Sequence, residues 1–250
     1  MSTLLAGRPL LWRGLFAGAV AALVLIAFPA IAMEGQPSRT ALARITTQSD
    51  AFIGALDSRV VMPLDVRNAS RWDDVLRRQE ASVPRPCADT SAEHCFATFW
   101  NETVATLKAL PRAEQVRMVN GLVNEMGYWS DRDLYREADY WATPEEMFDK
   151  MGGDCEDFAL FKYFLLRAAG VPADELRLTL VASDDQAHMV ALAMVDGAPV
   201  MLDCVALQAV PPSALPQYKA VYSLSETGAW FLTAADGPVG VQTALADMAR

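Results

Sequence analysis

Gly152-Gly153-Asp154-Cys155-Glu156-Asp157-Phe158-Ala159 is the stretch from which the rest of the chain can be organised. Asp154 is a natural helix N-cap, with Asp157 three positions on. Phe158, Phe161 and Leu165 form a stripe at helical spacing that buries one side of the helix, and Gly170 and Pro172 stop it. Cys155 therefore opens a helix, wrapped in acids and preceded by two glycines. Downstream, His188 lies in Gln186-Ala187-His188-Met189 and Asp203 in Leu202-Asp203-Cys204. Cysteine, histidine and aspartate in that order make a candidate nucleophilic triad.

After this helix the apolar period changes from 3.6 to 2. Residues 176–181, 187–195 and 200–205 read as strands, and 218–224 with 229–232 as a further hairpin. Asp196-Gly197 is a strong hairpin turn. A two-residue loop pairs Val195 with Ala198 and sets Asp203 opposite Val190. A four-residue loop pairs Val195 with Val200 and sets Asp203 opposite Leu192. Both put Asp203 on the sheet face of His188, whereas a three-residue loop separates them.

Upstream the pattern is helical. Trp72–Arg78 and Phe96–Leu110 read as helices. A third opens at Pro111, presents Val116, Val119, Leu122, Val123 and Met126, and ends at Gly127. An aromatic, acidic loop from Tyr128 to Glu146 follows, in which Thr143 can cap a short helix with Pro144 first and Glu146 third. Helices first and an antiparallel sheet second argue an α+β fold.

A thiolate is the working form of a cysteine nucleophile, so the pKa of Cys155 must be lowered. A helix N-terminus helps, and an imidazole can take the proton. The chain has two histidines, and His94 sits beside a cysteine pair, which leaves His188 as the base and Asp203 to orient its ring. Asp154, Glu156 and Asp157 oppose thiolate formation. A bound cation resolves the conflict, and oxygen ligands suit Ca²⁺ far better than zinc. Asp154 and Glu156 are its candidate ligands, with Asp131, Asp133 and Asp139 available upstream.

The chain has 250 residues, enough for one domain with a sizeable core, and at 52% hydrophobic and 21% charged it is globular in composition. A net charge of −10 without a basic run excludes nucleic acid as a natural partner. Residues 1–32 resemble an export signal: Arg8 and Arg13, an apolar run from Gly14, then Ala30-Ile31-Ala32 before the cleavage point. An uncleaved membrane anchor is the alternative. Residues 33–48 are weakly patterned and read as a flexible segment, leaving 49–250 as the domain. Export favours a local disulfide between Cys87 and Cys95, with two free thiols or a zinc site using His94 as alternatives. A bridge between Cys155 and Cys204 stays open and would remove the nucleophile.

Taken singly, each feature has an ordinary structural explanation. A helix-opening cysteine can be core, a strand histidine a satisfied core residue, Asp154 and Asp157 plain caps, and Tyr128, Trp129, Tyr140 and Trp141 packing. Together they favour a cysteine hydrolase.

The blocks Asp139-Tyr140-Trp141-Ala142-Thr143-Pro144-Glu145-Glu146, Gly153–Ala159 with Lys162-Tyr163, Gln186-Ala187-His188-Met189-Val190 and Leu202-Asp203 resemble the bacterial transglutaminase-like cysteine proteinases, and among them the periplasmic adhesin-processing proteases. The resemblance implies a papain/transglutaminase-like fold, with N-terminal helices packed on an antiparallel sheet and the nucleophile at a helix N-terminus. It implies Cys155 as nucleophile, His188 as base, Asp203 as orienter and calcium held by Asp154 and Glu156. It further implies a calcium-dependent endopeptidase in the periplasm that cuts the N-terminal region of a large surface adhesin and promotes biofilm dispersal. An inner-membrane receptor sensing cyclic di-GMP is the implied partner. In one departure, Cys204 follows the aspartate where the family usually has asparagine. The competing expectations are a catalytically idle calcium-dependent binding module, a membrane-anchored scaffold, or a transglutaminase that passes the same acyl-enzyme to an amine.

Overall fold

In chain order, helical residues 51–55 (α1) lead into strand β1 (Ser58–Leu64), then helices α2 (Ser70–Ala81), α3 (Phe96–Lys108) and α4 (Arg112–Val123). Strand β2 (Gly127–Tyr128), helices α5 (Asp131–Leu134) and α6 (Pro144–Lys150) and strand β3 (Gly152–Gly153) precede helix α7 (Cys155–Ala168). Strands β4 (Leu176–Ser183), β5 (Gln186–Val195), β6 (Ala198–Leu202), β7 (Lys219–Ser225) and β8 (Gly228–Ala234) complete the chain. The computed structural model describes residues 51–64, 70–82, 87–91, 94–183 and 186–234. The expected export signal at 1–32 and the segment at 33–48 lie outside the described residues.

The fold is α+β, as the period change implies. Six strands form one antiparallel sheet in the order β1-β8-β7-β4-β5-β6. Helix α7 packs against β5 and β4 and is covered on its other side by α4, α6 and α3. This explains a difference from the one-sided stripe: ten of its 14 residues are buried, because sheet and helices enclose it together. Its sequence CEDFALFKYFLLRA is apolar nearly all round, as a fully enclosed helix requires. Strand β5 is likewise covered on both faces. Met189, Ala191 and Ala193 join the α7 core, while Val190, Leu192 and Met194 join a second cluster with Phe52, Ile53 and Leu56.

The β5–β6 hairpin takes the two-residue alternative. Val195 pairs with Ala198 and Ala191 with Leu202. Asp196 (φ 51°) and Gly197 (φ 82°) both adopt positive φ, the geometry of the turn that matches strand twist. Strand β6 stops at Leu202 rather than reaching Val205, so β5 has no β6 partner from Gln186 to Val190. His188 lies in that stretch, paired with Val181 of β4 alone, and Asp203 just past the end of the β5–β6 ladder.

Two further differences lie upstream. Helix α4 ends at Val123, with Asn124 as its C-cap, and Pro111 stands just before its first residue. Gly127 does not stop the helix but pairs with Gly152 in a two-stranded parallel ribbon, β2 with β3. A Cβ on Gly152 would lie 2.2 Å from the Gly127 carbonyl oxygen, and one on Gly153 2.3 Å from Asp157 Oδ2, so the close approach demands glycine. The expected cap of α6 is present: Thr143 Oγ1 accepts from the Glu146 N–H (3.4 Å) and Glu146 Oε2 from the Thr143 N–H (2.8 Å). Cys87 and Cys95 are disulfide-bonded, and His94 contacts Ser91 and Asp89.

Candidate active site

The β2–β3 ribbon delivers the chain to the start of α7. Asp157, fully buried, accepts from the Ala142 N–H (2.7 Å) and the Asp154 N–H (3.3 Å), tying the α6 entry to the α7 entry. Cys155 follows at the first position of α7, half-buried, with its sulfur facing the open end of the β5–β6 hairpin. Its Sγ lies 2.9 Å from His188 Nδ1, and His188 Nε2 lies 2.6 Å from Asp203 Oδ1. Three residues far apart in sequence thus form one continuous chain from thiol to imidazole to carboxylate.

Asp203 is held from three sides. Besides His188, its Oδ1 accepts from the Val205 N–H (3.0 Å) and its Oδ2 from the Tyr218 hydroxyl (2.9 Å). The loop after it is anchored from α4: Asn124 Nδ2 donates to the Asp203 and Ala206 carbonyls (both 2.9 Å), and Asn120 Nδ2 donates to Ala206 O (3.1 Å). Tyr128 brings its hydroxyl to 3.5 Å from Cys155 Sγ. Cys204 places its sulfur 3.8 Å from Cys155 Sγ, and the two are not bridged.

The charges agree with the geometry. Donation from the Cys204 thiol lowers the Cys155 pKa. Burial opposes this, but hydrogen bonding and charge from His188, with a further contribution from Tyr128, carry it to about 4. Burial disfavours protonated His188, yet hydrogen bonds to Asp203 and Cys155 outweigh it and raise the pKa to about 9. For Asp203 burial again works upward, while His188, Val205 and Tyr218 hold it below the usual carboxylate value. Between those limits the favoured state is a thiolate beside an imidazolium, the form in which a cysteine attacks a carbonyl.

Behind the sulfur is a cluster of carboxylates. Oxygen atoms of Asp131, Asp139 and Glu156 lie within 4.8 Å of one another, as do those of Asp131, Asp154 and Asp157. The four expected metal residues therefore come together, and Asp157, read in sequence as a cap, joins them. Asp133 stays outside and holds Ser130 at the start of α5. Burial and mutual repulsion raise Asp131, take Asp154 to about 6, and push Glu156 and Asp157 well above the usual range. Asp131 Oδ1 and Asp154 Oδ1 are buried with no hydrogen-bond donor among the described residues. Acceptor oxygens without donors and carboxylates that resist ionisation fit a hard divalent cation.

A cleft of about 230 Å³ runs beside the sulfur. Leu180, Ala187, Met189 and Tyr222 give it apolar lining, and Asp139, Asp154 and Glu156 an acidic one. Tyr128 on the ribbon, Trp129 just after β2 and Met151 just before β3 are large exposed apolar side chains, and Tyr128 is the one in contact with Cys155.

Tyr218, Asn124, Tyr128 and the cluster role of Asp157 escaped sequence reasoning. Asp157 had a signal, as a third acid in the Asp154–Asp157 block. The other three carry no local pattern and act only through tertiary contact.

The family model described as bacterial transglutaminase-like cysteine proteinase matches residues 84–234. Among solved structures the chain is similar to Legionella pneumophila LapG in its calcium-bound form, with 32% identity and a TM-score of 0.51 over 71% of this chain and 98% of that one. LapG itself is 33% identical, with a TM-score of 0.51 over 76% of this chain and 100% of that one. The EGTA-treated form is 31% identical, with the same TM-score and coverage. No curated protein sequence matches the chain significantly.

Proposed function

This chain belongs to the bacterial transglutaminase-like cysteine proteinase family, and from that premise we propose that it is an exported, calcium-dependent endopeptidase acting on a large surface adhesin. In this proposal Cys155 is the nucleophile, His188 the base and Asp203 the residue that orients the ring. The observation that carries it is the unbroken line from Cys155 Sγ to His188 (2.9 Å) and from His188 to Asp203 (2.6 Å).

The chemistry follows from the geometry. Cys155 attacks the scissile carbonyl and forms an acyl-enzyme. The imidazolium of His188 gives its proton to the leaving amine, and the neutral ring then takes one from the water that releases the acid. Asp203, fixed by Tyr218 and Val205, keeps the ring aligned throughout. Asp131, Asp139, Asp154, Glu156 and Asp157 are the residues that would hold calcium, which the relative's calcium-bound form supports. Bound calcium supplies the positive charge that lets these carboxylates ionise behind the thiolate.

Export is supported by Arg8, Arg13 and Ala30-Ile31-Ala32 and by the Cys87–Cys95 disulfide, a bond that persists in oxidising compartments such as the periplasm. An adhesin's N-terminal region as substrate and an inner-membrane cyclic di-GMP receptor as partner rest on the family resemblance. The exposed Tyr128 beside the nucleophile, with exposed Trp129 and Met151 next to the ribbon's ends, is suited to anchor a protein partner.

The test is incubation with the N-terminal fragment of a large adhesin from the same organism, in Ca²⁺ and in EGTA, beside Cys155→Ala. Cleavage that needs both calcium and Cys155 is expected. Cleavage surviving EGTA would remove the metal requirement and leave the triad. Absence of cleavage in Ca²⁺ would overturn the substrate assignment.

A further inference from the structure

Cys204 is not one of the three residues that form the hydrolytic line, although its thiol donates toward the nucleophile. The oxygens of Asp203 are taken by His188, Val205 and Tyr218, so no thiol is needed to hold that carboxylate. Yet the Cys204 thiol points at the nucleophile, 3.8 Å from Cys155 Sγ and 4.0 Å from His188 Nε2. Its position is set on both sides, because Asn124 grips the carbonyls of Asp203 and Ala206. It also lies past the end of β6, where no ladder hydrogen bond resists a small shift. The chain has four cysteines, and Cys87 and Cys95 are already paired with each other. Each remaining thiol therefore has the other as its one intramolecular partner, and both are partly open to solvent.

We propose that Cys155 and Cys204 form a reversible redox pair, in which a peroxide joins the two sulfurs in a disulfide that occupies the nucleophile and a dithiol reductant frees it. This rests on the assignment of Cys155 as the nucleophile. The Cys155 thiolate attacks a peroxide oxygen, so an S–O bond forms and the O–O bond breaks; the expelled hydroxide takes the proton that Cys155 gave to His188 and leaves as water, and Cys155 is left as a sulfenic acid. Cys204 then attacks the sulfenic sulfur, an S–S bond replaces the S–O bond, and the oxygen leaves as water with the Cys204 proton. Two electrons pass from the thiols to the peroxide, which ends as two waters. A disulfide bond is about 2.05 Å long, so sulfurs starting at 3.8 Å close by less than one further bond length. Without Cys204 the sulfenic acid has no resolving thiol in the chain and proceeds to the irreversible sulfinic acid.

The experiment treats the purified full chain with hydrogen peroxide and reads intact mass, a peptide map and iodoacetamide labelling, before and after dithiothreitol. Wild-type protein is expected to lose two hydrogens, to yield a linked Cys155–Cys204 peptide, and to recover Cys155 labelling on reduction. Cys204→Ser is expected to gain oxygen at Cys155 and not to recover. A wild-type Cys155 that alkylates readily but goes to sulfinic acid with Cys204 still free would overturn the redox pair and leave the nucleophile standing. A Cys155 that neither bridges nor alkylates would overturn both.

Discussion

At the residue scale, the decisive contact is the pair Cys155 and His188. Its pH behaviour follows from opposite shifts. Cys155 is deprotonated above about 4, and His188 keeps its proton up to about 9. Activity is therefore expected to rise as pH climbs through the lower value and to fall as it passes the upper one, measured as kcat/KM across pH. Asp203→Asn removes the charge that fixes the ring, and a loss in kcat on the order of 10²-fold or more is expected. Tyr218→Phe frees one oxygen of Asp203 but leaves the other held, so a smaller loss is expected in the same assay. Sequence made Cys155, His188 and Asp203 legible because each sits in a local motif. Tyr218 and Asn124 were hidden because their partners lie 15 and 79 residues away, a separation no periodicity encodes.

At the element scale, the β2–β3 ribbon sets where α7 begins. It was missed because two-residue strands carry no alternation, and because a glycine after a helical run ordinarily signals a helix end. The ribbon makes a sharp prediction. In Gly152→Ala the new Cβ meets the Gly127 carbonyl, which is backbone and cannot rotate away. A destabilisation on the order of 2 kcal/mol and slower alkylation of Cys155 are expected, from thermal melts and thiol labelling. The α6 cap is a milder case: Thr143→Ala loses one half of its capping box and is expected to cost about 1 kcal/mol. The hairpin was legible in outline. Asp196-Gly197 reduced the possible registers to a few, and the two-residue turn that brings Asp203 to His188 is the one the structure adopts.

At the scale of the whole molecule, a stable core tolerates a strained acidic corner. The corner's energetics predict a response to calcium. Asp154 has its pKa raised from 3.8 to about 6 by burial and by Asp131. In calcium-free protein its contribution to stability is thus present in acid and is lost as pH rises through about 6. Calcium should reverse that trend, since it favours the ionised cluster. The shift in Tm on adding calcium is expected to be larger above that pH than below it, where protons compete for the same oxygens. An equal shift on both sides would place the ion elsewhere. Sequence could name the acids but not their assembly, because α5, the loop after it and the start of α7 come together only in the folded chain.

The most direct measurement is the rate of Cys155 alkylation by iodoacetamide against pH, followed by peptide mass, in wild type and His188→Ala. Wild type is expected to react fast well below the ordinary thiol value of 9.0, with His188→Ala moving the midpoint upward. A wild-type profile that follows an ordinary thiol and is unchanged by His188→Ala would contradict the catalytic pair.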